Sequence, residues 1–362
     1  MPDESPNAPA ELPADATRVE DAPRRTVIKS ESEPAAAPTG TRDRRGVELA
    51  QKILPRYGVL IAFLVVIIVF SIAKPHIFPT WADAKTILTE SAPALILAVG
   101  LTVVLAMQDF DLSIGATVGL AGGVAVALMA KHAWGWPLAL LMALGFGVAV
   151  GIVNGYLIAF LGGPSFIITL AIGTVLTGIE YAFTNQATVF SGVAQGYINI
   201  AAKSYFLGLS NQIWIAVVVA LVLWVLLDHT ELGRYMYAIG GNPEAARLSG
   251  IRTRALRLLG FVIVGVAAAV VGIILTSQGG SYTPNAGAPY LLPAYAAAFL
   301  GAACFKPGEF NVPGTVIGVL FLGTISTGLT ILNLQTYLIN LVQGGILVAA
   351  VLLGRLGQRV AT

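Results

Sequence analysis

The sequence TELGRYMYAIGGNPEAARLSGIRTRALR, from Thr230 to Arg257, is the one long polar interval between two apolar runs in the C-terminal two-thirds of the chain. Its middle, Asn242 to Gly250, predicts a short helix. Asn242 suits the position before a helix because its side chain accepts hydrogen bonds from the first free amides, and Pro243 suits the first helical position. Gly250 readily adopts the left-handed turn that ends many helices.

Composition places this interval in a membrane protein. The residue types AVILMFWYC make up 56% of the chain, and charged residues only 11%, against about 25% in soluble domains. We therefore predict an all-α polytopic membrane protein. The single cysteine excludes an intramolecular disulfide and a multi-thiolate metal site, and three dispersed histidines do not predict a metal site.

Apolar runs recur along the chain, most of them long enough to cross a bilayer as a helix of about 17–25 residues. They are Tyr57–Ala73, Ser91–Met107, Leu112–Ala130, Trp136–Phe160, Ser165–Phe183, Gln212–Leu227, Leu258–Ser277, Tyr290–Cys304, Pro313–Thr330 and Tyr337–Leu353. These runs predict about ten crossings, some short or broken, with both termini cytoplasmic. The run that contains Pro293 is short, so whether it spans or re-enters stays open.

The distribution of charge agrees with this topology. Basic residues precede the first run and follow the last, and the interval at 229–257 carries five arginines against two glutamates, a net charge of +3. Cytoplasmic loops are the ones enriched in Lys and Arg. The predicted outer segments, Thr184–Asn211 and Gln278–Pro289, contain only Lys203 between them, and the charges of the first outer loop, 74–90, balance.

The two ends of the chain differ from its middle. Residues 1–45 are rich in Pro, Ala and acids, and they have few large apolar residues with which to form a core. We predict a disordered cytoplasmic tail there. Residues 46–362 form the transmembrane domain.

Small residues recur at four-residue spacing in several runs, which lets helix backbones approach closely in lipid. The positions are Gly119 and Gly123; Gly147, Gly151 and Gly155; and Gly314 and Gly318. We interpret all of them as packing positions. Gly162-Gly163-Pro164 and the run with Pro293 indicate broken helices, which are tolerated only against protein or a water-filled cavity.

Five polar residues in or beside the runs are candidates for a solute path. We predict that Asp111 caps the third helix, helped by Ser113, with direct contact to the solute as the alternative. Glu180 either lines a polar path or reaches out to the outer interface. Asn154 and Gln343 either bridge helices or touch a polyhydroxylated solute.

The chain resembles a known transporter family at two separate strings. Glu244-Ala245-Ala246 followed three residues later by Gly250 is similar to the EAA-x-x-x-G signature of ABC-importer permeases. The string from Leu232 to Ile251, together with Asp111-Leu112-Ser113-Ile114-Gly115, resembles the ribose/xylose/arabinose type. The resemblance covers about Tyr57 to Gly354.

The chain departs from that pattern at two places. Family members carry Glu-Leu-Asp-Ala-Ile-Ala where this chain has Tyr290–Ala296, and often a basic residue where it has Glu180. These departures concern the choice of sugar more than transport itself.

The resemblance implies a permease subunit in the bacterial cytoplasmic (inner) membrane, without cofactor or metal. Its cytoplasmic coupling loop, 229–257, would dock on an ABC ATPase subunit. The residues implied in coupling are Asn242, Pro243, Glu244, Ala245, Ala246, Arg247 and Gly250. A periplasmic or lipid-anchored sugar-binding protein would deliver the solute, and a second permease subunit, identical or different, would complete the path.

Other functions make different demands on the sequence. An ion- or proton-coupled secondary transporter needs carboxylates in the membrane, for which Asp109, Asp111 and Glu180 are the candidates. A membrane enzyme needs clustered acid, base or metal ligands, and a channel needs no docking helix. The chain has no phosphate-binding Gly-x-x-x-x-Gly-Lys loop, no His-Glu-x-x-His motif and no nucleic-acid pattern. We therefore predict a transporter subunit that is not an enzyme.

Overall fold

A computed structural model describes residues 58–204, 206–306, 308–346 and 348. The predicted disordered tail, 1–45, and the basic residues before the first and after the last run lie outside this part. Within it the regular elements are helices, as predicted. Seven of them are long and apolar enough to cross a membrane; the count of about ten crossings and the side of each terminus stay predictions.

The helices follow the apolar runs in order. The first half of the chain forms α1 Gly58–Ala73, α2 Trp81–Ala106, α3 Ile114–His132, α4 Trp136–Ala159, α5 Ser165–Thr184 and α6 Gln195–Ala202. The second half forms α7 Asn211–Trp224, which a π-helical turn extends through Val225–His229, then α8 Glu231–Gly241, α9 Pro243–Leu248, α10 Thr253–Gly279, α11 Ala288–Gly301 and α12 Val312–Ile331. A further helix, α13, begins at residue 336 and continues to 346.

Helix α2 begins ten residues before the predicted start of the second span. The Thr80 side chain accepts a hydrogen bond from the Asp83 backbone N–H at 3.2 Å and so caps the helix at its N-terminus. Lys85 and Glu90 therefore lie on α2, and the outer loop predicted at 74–90 is shorter than expected. The 26 residues of α2 span about 39 Å, which exceeds the hydrocarbon thickness of about 30 Å.

Helix α10 packs closely against three glycines of α4, with its backbone within contact distance of them. We call Gly147, Gly151 and Gly155 the glycine seam. A Cβ at Gly151 would lie 2.5 Å from the Phe261 carbonyl oxygen, and one at Gly155 would lie 2.8 Å from the Leu258 Cα. The predicted packing role of these three glycines is confirmed.

Replacing Gly147 by leucine is expected to lower the midpoint of thermal unfolding in detergent. A Cβ there would meet the Gly265 carbonyl oxygen directly, and overpacking of this kind costs about 1–3 kcal/mol. Tryptophan fluorescence of the heated protein measures the shift. Gly145→Leu is the matched control, because nothing lies within 4 Å of a Cβ at Gly145; equal midpoints for the two variants would contradict the seam.

The chain breaks its helical path before α11, rather than at the predicted proline. Helix α11 continues through Pro293, whereas residues 280–287, here called the linking segment, are non-helical. Gly162-Gly163-Pro164 likewise forms a connection between α4 and α5 and breaks neither helix.

The linking segment runs along α3. At its start the Tyr282 ring lies 3.0 Å from a Cβ placed at Gly123, and at its end the Gly287 carbonyl oxygen lies 3.4 Å from one placed at Gly115. Eight residues of α3 correspond to about 12 Å. Helix α11 therefore starts beside the first turn of α3, and its 14 residues cover about 21 Å, too little to cross the bilayer alone.

Helix α6 lies in the predicted outer segment and covers the end of α10. Its Tyr197 is fully buried, and the Tyr197 hydroxyl lies 2.7 Å from the Thr276 hydroxyl. The Ser277 hydroxyl donates to the Tyr197 carbonyl oxygen at 2.7 Å and accepts from the Ala201 N–H at 3.0 Å. These bonds fix α6 to the last turns of α10.

Candidate functional site

Helix α9 is capped at both ends by the residues that predicted it. The Asn242 side-chain oxygen accepts from the backbone N–H groups of Glu244 at 3.1 Å and Ala245 at 3.0 Å. At the other end Gly250 has φ +85°, and its N–H donates to the Arg247 carbonyl oxygen at 3.1 Å. The following N–H, from residue 251, returns to the carbonyl oxygen at 246 over 3.1 Å. This double closure is the Schellman geometry of helix ends.

The outer surface of α9 is exposed and charged. Arg247 donates two hydrogen bonds to the Glu244 carboxylate, although both side chains are more than 60% exposed. These bonds and the arginine charge lower the pKa of Glu244 below its ordinary value. Leu248 is 76% exposed beside them, while Ala246 faces the core. Leu248 was not among the residues predicted for coupling; its signal in the sequence is a large apolar residue in an otherwise polar string.

Helix α8, which was not predicted as a separate helix, holds α9 against the ends of other helices. Thr230 caps it by accepting from the Gly233 N–H at 3.3 Å. Gly240 packs directly on the Ala106 carbonyl oxygen at the end of α2, and the Tyr237 hydroxyl donates to the Phe310 carbonyl oxygen at 2.7 Å. The end of α2, the loop after α11 and the start of α10 thus meet at one end of the bundle.

Asp111 and Ser113 close a buried turn between α2 and α3. One Asp111 oxygen accepts from the Ser113 N–H at 2.9 Å and from its hydroxyl at 2.6 Å. Asn154 of α4 donates to the Ser113 hydroxyl oxygen at 2.8 Å, and the Asp111 N–H donates to the Tyr295 hydroxyl of α11 at 2.9 Å. Asp111 therefore fixes the residue before α3 rather than capping the helix amides, and Ser113 makes no side-chain cap.

The same turn is fastened to α5. The Phe110 N–H donates to the Ser165 hydroxyl at 3.1 Å, and the Leu112 N–H donates to the Thr169 hydroxyl at 3.0 Å. With the bonds from α4 and α11, residues 109–113 contact several helices at once. We call these residues the hub turn.

Glu180 lies in a second buried group, about three turns beyond Thr169 on α5. It is fully buried, so the interpretation that it reaches the outer interface is wrong. Its Oε1 accepts from the Tyr282 hydroxyl at 2.6 Å and from the Asn285 N–H at 2.9 Å, while its Oε2 has no partner among the described residues. A Cβ at Gly119 would lie 2.5 Å from Oε1. Gly119 and Gly123 therefore make room for this polar group rather than for another helix.

The linking segment and the first turns of α11 combine burial on one side with exposure on the other. Tyr282 and Gly287 are buried against α3, whereas the exposed residues are Thr283, Asn285, Ala288, Pro289 and Leu292. Most of this stretch was predicted as an outer segment; its glycines and Pro284 were the signal for a break. Gln343 is half-buried on α13 and, within the described residues, shares no hydrogen bond with the Asp111 or Glu180 group.

The model of the family described as "Branched-chain amino acid transport system / permease component" matches residues 84–351. The chain belongs to this family. The match covers the helices discussed here except α1 and the first three residues of α2, and it includes α9, the hub turn and the linking segment of the permease.

Named relatives of the permease are sugar transporters. The ribose import permease of Escherichia coli K12 is 35% identical over 298 residues, which cover 81% of this chain and 91% of the relative. The D-allose transport system permease of the same organism is 33% identical (83% and 92% covered), and the xylose permease of Haemophilus influenzae is 31% identical (82% and 94%). The resemblance to sugar-type import permeases is confirmed, as is a transporter rather than an enzyme. No solved structure matches the permease significantly.

Proposed function

We propose that the permease is the membrane-spanning subunit of an ATP-driven ABC importer for a monosaccharide or a related polyol. The observation that carries this proposal is α9: a short, doubly capped helix that exposes Glu244, Arg247 and Leu248 at one end of the bundle. A rigid knob of this kind suits docking by another subunit. The relatives named for ribose, allose and xylose import support the sugar class.

The ATPase subunit docks on the coupling loop, 229–257, in the cytoplasm. The net charge of +3 in this loop supports that side. The coupling residues are Asn242, Pro243, Glu244, Ala245, Ala246, Arg247 and Gly250, of which Ala246 is buried and anchors the helix from below. The domain from 46 to 362 then crosses the inner membrane about ten times, with both termini in the cytoplasm.

The solute passes the exposed side of the linking segment. Non-helical backbone at membrane depth is tolerated where it lines a cavity, and transporters place solute sites at such breaks. Glu180 holds the segment in place, and the exposed Thr283 and Asn285 offer hydrogen bonds to a neutral polyhydroxylated solute. A second permease subunit faces this side, and an extracytoplasmic sugar-binding protein delivers the solute.

A secondary transporter is not favoured, because its candidate carboxylates are all engaged. Asp109 pairs with Arg257, Asp111 binds Ser113, and Glu180 binds Tyr282. A coupling carboxylate has to exchange its ion or proton with water, and these three are nearly inaccessible.

Reconstitution in liposomes tests the proposal. The purified permease alone is expected to accumulate no sugar, with or without ATP. Together with its ATPase subunit and binding protein it is expected to concentrate radiolabelled ribose, xylose or allose only when ATP is present. Concentrative uptake by the permease alone would contradict the proposal.

A further inference from the structure

A buried ion pair joins the hub turn to α10. Arg257 donates from Nε to one Asp109 carboxylate oxygen at 2.7 Å and from a terminal nitrogen to the other at 2.6 Å. The Asp109 side chain is 4% exposed and the Arg257 side chain 29%. Paired parallel bonds of this kind fix orientation as well as distance, because guanidinium and carboxylate are both planar.

The two residues of this pair lie in different parts of the fold. Arg257 lies in the second turn of α10, which follows α9 after only Ser249 to Arg252. Asp109 begins the hub turn, whose other residues bind α4, α5 and α11. The pair is thus a short connection between the start of α10 and the helices α4, α5 and α11.

We infer that the Asp109–Arg257 pair transmits movement of the coupling helix to the hub turn, and so makes ATP hydrolysis productive for transport. The inference rests on the proposed function. Gly240 also packs on the Ala106 carbonyl oxygen at the same end of the bundle. A packing contact of this kind resists the approach of two helices but not their separation. A two-pronged ion pair resists separation too, so it acts in both directions of a transport cycle.

The test measures solute moved per ATP hydrolysed by the complete importer in proteoliposomes. Asp109→Asn and Arg257→Gln are expected to retain ATPase association and hydrolysis while this ratio falls at least about tenfold, as for a broken buried charge pair. The swapped variant, Asp109→Arg with Arg257→Asp, is expected to recover part of the ratio. Lys306→Gln is the matched control, since it breaks a partly exposed ion pair, with Asp228, that lies outside the coupling loop, and it is expected to keep the native ratio.

The outcomes separate this inference from the proposed function. A native ratio in both single variants, or a swapped variant no better than they are, would overturn the inference. Failure of the native permease to bind any ATPase subunit would instead refute the proposed function. If the single variants do not fold, Asp109→Glu and Arg257→Lys replace them. These keep the charges but alter the two-pronged geometry, and a native ratio in both would equally overturn the inference.

Discussion

Replacing Gly250 by valine is expected to abolish ATP-driven uptake while the permease remains folded in the membrane. Gly250 has φ +85°, a conformation that costs residues with a Cβ about 1–2 kcal/mol and is worst for β-branched ones. The strain releases the two closing bonds at the end of α9. An exposed helix of six residues has little else to hold its last turn, so the docking surface is lost.

Valine at Gly241 is the matched control for this prediction. Gly241 also borders α9, but its φ is not positive and nothing lies within 4 Å of a Cβ there. Co-purification of the ATPase subunit and uptake in proteoliposomes are the two measurements. Gly250→Val, Gly250→Asp and Glu244→Lys are expected to lose both, and Gly241→Val to keep both. Native association in the Gly250 and Glu244 variants would end the assignment of α9 as the coupling helix.

Replacing Glu180 by leucine is expected to stop sugar uptake without releasing the ATPase subunit. The change leaves the Tyr282 hydroxyl and the Asn285 N–H without their acceptor, and an unpaired buried donor such as the Tyr282 hydroxyl costs about 1–3 kcal/mol. The linking segment then loses its attachment to α5, and the path that it lines loses its shape. Gly119→Val is expected to act alike, because its side chain displaces the carboxylate.

Two further variants define how Glu180 acts. Glu180→Gln keeps an oxygen that accepts both hydrogen bonds, so it is expected to retain most of the uptake. Gly178→Val changes the same helix where nothing lies within 4 Å of a Cβ, and is expected to behave as the native protein. Uptake, divided by the amount of permease in the membrane, is the measurement. Native uptake in Glu180→Leu would show that this carboxylate has no part in the path.

Local signals explain what the sequence could predict. Helix α9 was predictable because its capping residues, Asn242 and Gly250, lie within nine positions of each other and act on neighbouring backbone. Most long helices were predictable because an apolar run of sufficient length has one stable form in lipid. The start predicted for the second span was wrong by ten residues. The charged residues Asp83, Lys85 and Glu90 are typical of a loop, but they follow the cap at Thr80 and lie on α2.

Contacts between residues that are far apart in the sequence explain what the sequence could not predict. Glu180 meets Tyr282 across 102 positions, and Arg257 meets Asp109 across 148. Charge and polarity identified Glu180 and Asp109 as candidates, but a single sequence does not say which polar residues pair. The break before α11 was misplaced because Pro293 is the stronger local signal, whereas the break depends on the fit of Gly287 against Gly115.

Close packing at the glycine seam affects how a displacement travels along α10. Since the three glycines of α4 bring it within contact of the α10 backbone, few side-chain atoms lie between the two helices at the seam to rearrange and absorb a displacement. A shift that starts at Arg257 therefore reaches Ser277, where α6 is attached. In the proposed importer, the single helix α10 would therefore connect the end that contacts the ATPase subunit to the opposite end, and solute binding at one end would affect nucleotide binding at the other.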